Sequence, residues 1–229
     1  MTETPAVTGD QPRHPSALAG ALAGVLAAGG VYFLRRPAAS QAPPPPERAL
    51  SYYLMVQKYR TGRPYQAEFR WSGLHVFEAG YHARFFFSSP DSGYLYILNE
   101  GPDSKPGAPV FNALFPSPLN NSGSALLAPG SELQIPQGGP LVFDEEKGVE
   151  KLWLVWSKNA QPQLDGIRQW LNPKDKGAIG DRTQLLGIQS FLSDHAQPQP
   201  EVAEDEAHQC TVLKGRSDIL VGLLKLQHD

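Results

Sequence analysis

The sequence is short of cysteine, of basic runs and of catalytic motifs, and each shortage excludes something. Of 229 residues one is cysteine, Cys210. An internal disulfide and a cysteine-based metal site are therefore ruled out. Close to Val212 and Leu213, Cys210 reads as a small buried hydrophobe. Charge of either sign is sparse: the net charge is −3, from 20 basic and 23 acidic residues. The first 48 residues carry a balance of +1 and the remainder −4. A nucleic-acid binder needs a basic face to neutralise phosphates. The body has no basic run, so nucleic acid is not an expected partner.

Motifs of chemistry are missing as well. There is no G-x-S-x-G, no phosphate-cradling G-x-x-x-x-G-K-S/T, no H-E-x-x-H and no G-x-G-x-x-G. His75 and Glu78 are three apart but fall in what reads as a strand or turn, where that spacing does not place two ligands on one helix face. His14, His82, His195, His208 and His228 are scattered. His82, on a strand beside Arg84, reads as a surface residue. Asp144, Glu145 and Glu146, next to Lys147, and the acidic stretch 201–206 read as solvated segments before a cation site. No catalytic, cofactor-binding or metal-ligating residue is assigned. No cofactor is expected, and the chain is not expected to be an enzyme.

What is present begins with an uncharged run, Ser16 to Leu34. As a helix at about 1.5 Å per residue it reaches roughly 28 Å, close to a hydrocarbon core. Tyr32 and Phe33 suit the membrane interface, and Arg35-Arg36 stop the run. Six Ala and four Gly make it weakly apolar. A cleaved signal peptide is the rival, with Ala38 to Ala42 offering small residues. Arg13 alone is a poor basic n-region, however, and two arginines directly after the apolar run do not suit a cleavage region. The preferred reading is an uncleaved transmembrane helix over 16–34, after a disordered tail over 1–15. Gly20 and Gly24 have the spacing of a weak helix-mediated dimer, or are small residues with no partner. Residues 35–48 form a Pro-rich linker, in which Pro43 to Pro46 favour a stiff polyproline II spacer over a docking motif.

Residues 49–229 read as one β-rich domain. Gly 22 and Pro 22 indicate many turns. Strands are predicted over 50–56, 81–88, 93–99, 111–115, 124–127, 132–135, 141–143 and 149–157, and 65–71 with 73–77 reads as one more strand and its turn. Along Gly93 to Asn99, Tyr94, Tyr96 and Leu98 alternate with Leu95 and Ile97. Both faces are apolar, as in a central strand, and both tyrosines read as core. Gly93 reads as a tight turn into that strand. Pro116 and Pro136 read as strand ends. Short helices are predicted over 162–171 and 181–192, packed at an end of the body or across a crossover. Gln197 to Gln209 reads as a loop. Thr211–Lys214 and Ile219–Gln227 read as a closing hairpin. The expected class is all-β dominated and β-sandwich-like, with two short helices.

Residues 76–157 resemble a bacterial family, domain of unknown function 4384. Carrying the resemblance are Gly93-Tyr94-Leu95-Tyr96, Leu114-Phe115-Pro116 followed by Asn120-Asn121, Pro129-Gly130 with Ile135-Pro136, and Phe143-Asp144 with Gly148-Val149-Glu150 before the strand ending at Ser157. The family's short D-G-x turn is replaced here by a longer loop, Pro102 to Val110, with prolines at 102, 106 and 109. The resemblance implies a compact β-sandwich-like module, often attached to membrane-spanning signalling proteins such as serine/threonine kinases. It places that module outside the cytoplasm and brings no catalytic residues.

Together these readings give a single-pass, membrane-anchored, non-catalytic binding module for a protein or envelope partner. The flanking arginines lean toward a cytoplasmic body, whereas the resemblance leans outward, and outward is the expectation. The alternatives are a hydrolase-like enzyme with an unrecognised site and a regulatory protein with a cytoplasmic body.

Overall fold

A computed structural model describes residues 44–72, 75–101, 110–145, 147–166 and 177–228. The tail and the 16–34 run lie outside the described residues, as do the start of the linker, most of the 102–110 loop and the helix predicted beyond Gly166. No described helix is long and apolar enough to cross a membrane. Among the described residues the body is mostly β-structure with two α-helices.

The strands are β1 Arg48–Gln57, β2 Tyr59–Arg60, β3 Arg63–Pro64, β4 Phe69–Trp71, β5 His75–Phe77, β6 His82–Ser88, β7 Gly93–Glu100 and β8 Phe111–Phe115. They continue as β9 Leu126–Leu127, β10 Glu132–Ile135, β11 Leu141–Val142, β12 Gly148–Ser157, β13 Glu201–Asp205, β14 Cys210–Gly215 and β15 Ile219–His228. Helix α1 is Pro162–Asp165 and α2 is Arg182–His195. The first sheet has the order β10-β6-β1-β14-β13, with β11 also on β6 and β4 also on β1. The second runs β5-β15-β12-β7-β8, with β9 also on β7. Strands β2 and β3 pair with each other.

The period-2 alternation of each strand explains how the sheets meet. On β1, Leu50, Tyr52, Leu54 and Val56 are buried, and the residues between them are half-buried. These side chains join Phe85 and Phe87 of β6, facing Leu95, Ile97, Leu154 and Trp156 of the second sheet in one core. The other face of the second sheet is apolar too. Tyr96, Leu98, Val155 and Val221 form a second core with Leu164 of α1 and Ile188, Phe191 and Leu192 of α2. The expected sandwich therefore carries a helical third layer. The helices lie on the outer face of one sheet, within the β12–β13 connection that crosses to the other sheet. That burial on both faces is why β7 and β12 lack a polar side over most of their length.

Helix α2 starts as the sequence suggests. The Asp181 carboxylate accepts from the Gln184 N–H at 2.8 Å, a side-chain N-cap. The Tyr96 hydroxyl donates to Asp165 at 2.8 Å and accepts from the Gln161 N–H at 2.9 Å. It ties the second sheet to α1, and it is core, as read from the sequence.

Three further readings need correction. The predicted 197–209 loop contains β13, an edge strand antiparallel to β14. An edge strand has no covering layer to impose alternation, and its charges discourage pairing with another chain. The predicted closing hairpin is not a hairpin. Strand β14 pairs with β1 and β13, whereas β15 pairs with β12 and β5, so the chain crosses from one sheet to the other at 216–218. Arg48 stands at that crossing, 3.1 Å from Asp218 and 3.4 Å from Asp91. Asp91 lies in the β6–β7 connection, which also changes sheets. Gly93, finally, has no positive φ, and its role is close approach: a Cβ there would lie 2.5 Å from the Trp156 indole.

Candidate functional site

The two ends of the sandwich differ. The linker enters at one of them: Pro44 to Glu47 are exposed and run straight into β1, opposite the end of β14 at Gly215. At the other end β7 and β15 finish and β12 begins, with Gly148 opposite His228. The ten residues of β12 and of β15 separate these ends by about 33 Å.

At this distal end the inward-facing rows change character. The row of β7 runs Leu95, Ile97, then Asn99. On β12 it runs Leu154, Leu152, then Glu150, and on β15 Leu224, Leu226, then His228. On β8 Asn112 follows Leu114. Each row ends in a polar residue, and these four polar residues line one cavity of about 300 Å³. Leu114, Leu152 and Leu226 form its apolar floor. Leu141, Val142, Phe143 and Asp144 wall it from the first sheet.

Two hydrogen bonds hold that wall: Phe143 N–H to Tyr81 O at 3.0 Å, and Gly80 N–H to Phe143 O at 2.8 Å. The Phe143 ring stacks on Phe77 at 4.1 Å and meets His228 edge-on at 5.6 Å.

The polar groups are incompletely satisfied. Asn99 Nδ2 donates to Glu150 at 2.7 Å. A carboxylate only accepts, so the amide orientation is determined and Oδ1 points elsewhere. Oδ1 is buried without a partner. His228 is 4 % exposed, and its Nε2 is likewise buried without a partner. Both atoms are sealed behind the lining, and an unmet buried polar atom costs about 1–3 kcal/mol.

A second cavity, about 330 Å³, lies at the linker end, between Glu47, Pro198–Glu201 and the 214–217 turn. None of the buried unpartnered side-chain atoms among the described residues lines it. The distal cavity is the better candidate.

The residues weighed from sequence fall as follows. His208 lies in the β13–β14 turn, bonded to Asp205 at 2.9 Å. His195 stacks on Phe191 at 4.4 Å, and its Nδ1 lies 2.9 Å from the Phe191 carbonyl at the end of α2. His82 is half-buried against Tyr59, with ring centroids 3.9 Å apart, rather than simply on the surface. Burial, and then the Arg84 charge, lower its pKa. Asp144 lines the distal cavity, Glu145 is exposed, and Glu146 and the His75 side chain lie outside the described residues. Among the described residues no group of three or more His, Cys, Asp or Glu is placed to hold a metal ion. Asn99, Asn112, Glu150 and His228 were not singled out as a site from the sequence. The signal that finds them is the polar end of each inward row, which appears only once the faces are known.

Comparison with models of known protein families, with curated proteins and with solved structures finds no match to this chain. The resemblance of residues 76–157 to the domain of unknown function 4384 family stands on the quoted motifs alone.

Proposed function

We propose that this chain is a membrane-anchored, non-catalytic binding module that offers its distal cavity to a ligand outside the cytoplasm. The carrying observation is a cavity at the end of the sandwich opposite the linker, where the inward rows end in Asn99, Asn112, Glu150 and His228. A stiff Pro-rich spacer after a 16–34 anchor would hold that end away from the bilayer. The family resemblance supports the outward side. The test is a reporter fused to the C terminus of the full chain, in fractionated cells. Membrane-bound signal from a reporter active only outside supports the proposal. Signal from one active only in the cytoplasm replaces it with the regulatory, cytoplasmic reading.

One observation favours the hydrolase-like reading. A histidine and two carboxylates line the same cavity. Against it, His228 Nε2 has no hydrogen-bond partner, and among the described residues the lining contains no serine, threonine or cysteine to act as nucleophile. Turnover of ester, peptide or nucleotide substrates by the full chain, abolished by His228→Gln, would displace the binding reading.

A further inference from the structure

We infer that the arm formed by β2 and β3 binds an extended acidic segment of a partner protein. This surface is separate from the distal cavity, and its chemistry does not depend on the anchor.

The arm prolongs the β1–β4 pair. Val56 is opposite Phe69, and beyond it Tyr59 is opposite Pro64 and Arg60 opposite Arg63. The Tyr65 N–H donates to the Lys58 carbonyl at 3.2 Å, which continues that register. Residues 66–68 therefore oppose Gln57 alone, a bulge that re-aims the arm. The Gln57 amide braces the bulge by donating to the Lys58 and Gln66 carbonyls. Thr61 and Gly62 form the tip, with φ of +48° and +74°, as a two-residue type I′ turn requires.

Cross-strand partners share a face, and so do alternate residues. One face of the arm thus carries Lys58, Arg60, Arg63 and Tyr65. The other carries Tyr59 and Pro64, and Tyr59 stacks on His82 at 3.9 Å, which fixes the arm to β6. Residues 58–65 hold three positive charges and no acidic residue, in a body whose balance is −4. Elsewhere the fold pairs its cations: Arg48, Arg84 and Lys151 have carboxylates at 3.1, 2.7 and 3.3 Å. Among the described residues Lys58, Arg60 and Arg63 have none. Arg60 and Arg63 stand directly opposite each other, where like charges oppose pairing. A carboxylate placed between them removes that repulsion.

Two of the cations are held by rings. The Arg60 guanidinium lies over Tyr65, 5.0 Å from the ring centroid. A stacked guanidinium keeps its in-plane N–H donors free for a carboxylate. Lys58 Nζ is 5.1 Å from the Tyr81 ring centroid and 5.7 Å from that of Phe69.

The shape of the arm selects among anions. Single-stranded nucleic acid stacks its bases on open ring faces, whereas Tyr59 already stacks on His82 and Tyr65 lies under Arg60. Insertion into a bilayer surface needs an apolar element, and this tip is Thr61-Gly62 between two arginines. Alternate side chains of an extended peptide repeat every ~6.7 Å, which is also the step from Lys58 to Arg60 along their strand. Glutamates two residues apart match it.

The full chain is titrated with dye-labelled octapeptides of alternating Glu and Thr and of alternating Gln and Thr, and with oligothymidylate, by fluorescence anisotropy. Its partition between phosphatidylserine and phosphatidylcholine vesicles is measured alongside. The Glu-Thr peptide is expected to bind at least about tenfold more tightly than the Gln-Thr peptide, and less tightly as salt rises. Arg60→Gln and Arg63→Gln each weaken it about tenfold without lowering the unfolding midpoint, because each removes a like-charge pair. Arg63→Lys, which keeps the charge and loses the fork, falls between. Equal binding of the two peptides, or unchanged binding by a folded Arg60→Gln/Arg63→Gln double variant, overturns the proposal. Binding of oligothymidylate, or an arginine-dependent preference for phosphatidylserine, without binding of the Glu-Thr peptide assigns the arm to another polyanion and overturns it too.

Discussion

Gly93 lies beneath the indole of Trp156, so close that a Cβ on Gly93 would sit 2.5 Å from Cε2 and 2.6 Å from Cζ2 and Nε1. The contact joins the first residue of β7 to the end of β12, inside the core between the sheets. Gly93→Ala is therefore expected to destabilise the body by about 1–3 kcal/mol, since a buried ring has no room to retreat. Chemical denaturation followed by tryptophan fluorescence measures this. An unchanged midpoint would show that the ring moves freely.

Trp156 is fully buried, and its Nε1–H has no hydrogen-bond partner. Replacing it by Phe removes apolar area but also an unmet donor worth about 1–3 kcal/mol. Trp156→Phe is expected to cost much less than Trp156→Ala, for which about 3–5 kcal/mol applies. Equal losses in a paired denaturation experiment would mean that the donor is satisfied.

Tyr96 titrates above the usual tyrosine range, chiefly through burial, with the Asp165 carboxylate adding to the effect. Burial also raises Tyr52 and Tyr53. The unfolded chain ionises near pH 10, before the folded one. Stability is thus complete below that pH and is lost as pH rises further, because the unfolded state releases its protons first. Thermal unfolding at pH 8 and at about pH 10.5 is expected to show the fall. Tyr96→Phe, less stable at pH 8, is expected to lose less between the two.

Cys210 is 7 % exposed, and its thiol pKa is raised by burial and then by the Asp205 charge. A raised pKa and low exposure both reduce reactive thiolate. Labelling of the native full chain by a thiol reagent at neutral pH is expected to be slow and to become fast in denaturant. Rapid native labelling would contradict the burial of β14.

The legible part of the fold was local. Alternating apolar residues, turn residues and helical spacing each act within a few positions. They placed β1, β6, β7, β12 and α2 to within a few residues at their ends. The candidate site was less legible. Asn99, Asn112, Glu150 and His228 look unremarkable in sequence, and Asp144 looked like a solvated turn. They line one cavity because four strands end side by side, a relationship between residues far apart in the chain.

The sequence by itself determined a β-rich body with a strand buried on both faces, because period-2 alternation is a local property and composition is independent of the fold. The tertiary structure decided that β14 and β15 join different sheets, because two apolar runs around a turn suit a hairpin and a crossing equally. Competition among distant partners chose between them: β1 and β13 pair with β14, whereas β12 and β5 pair with β15. The same choice carries β15 to the distal end and buries His228 beside Phe143, and so made the cavity.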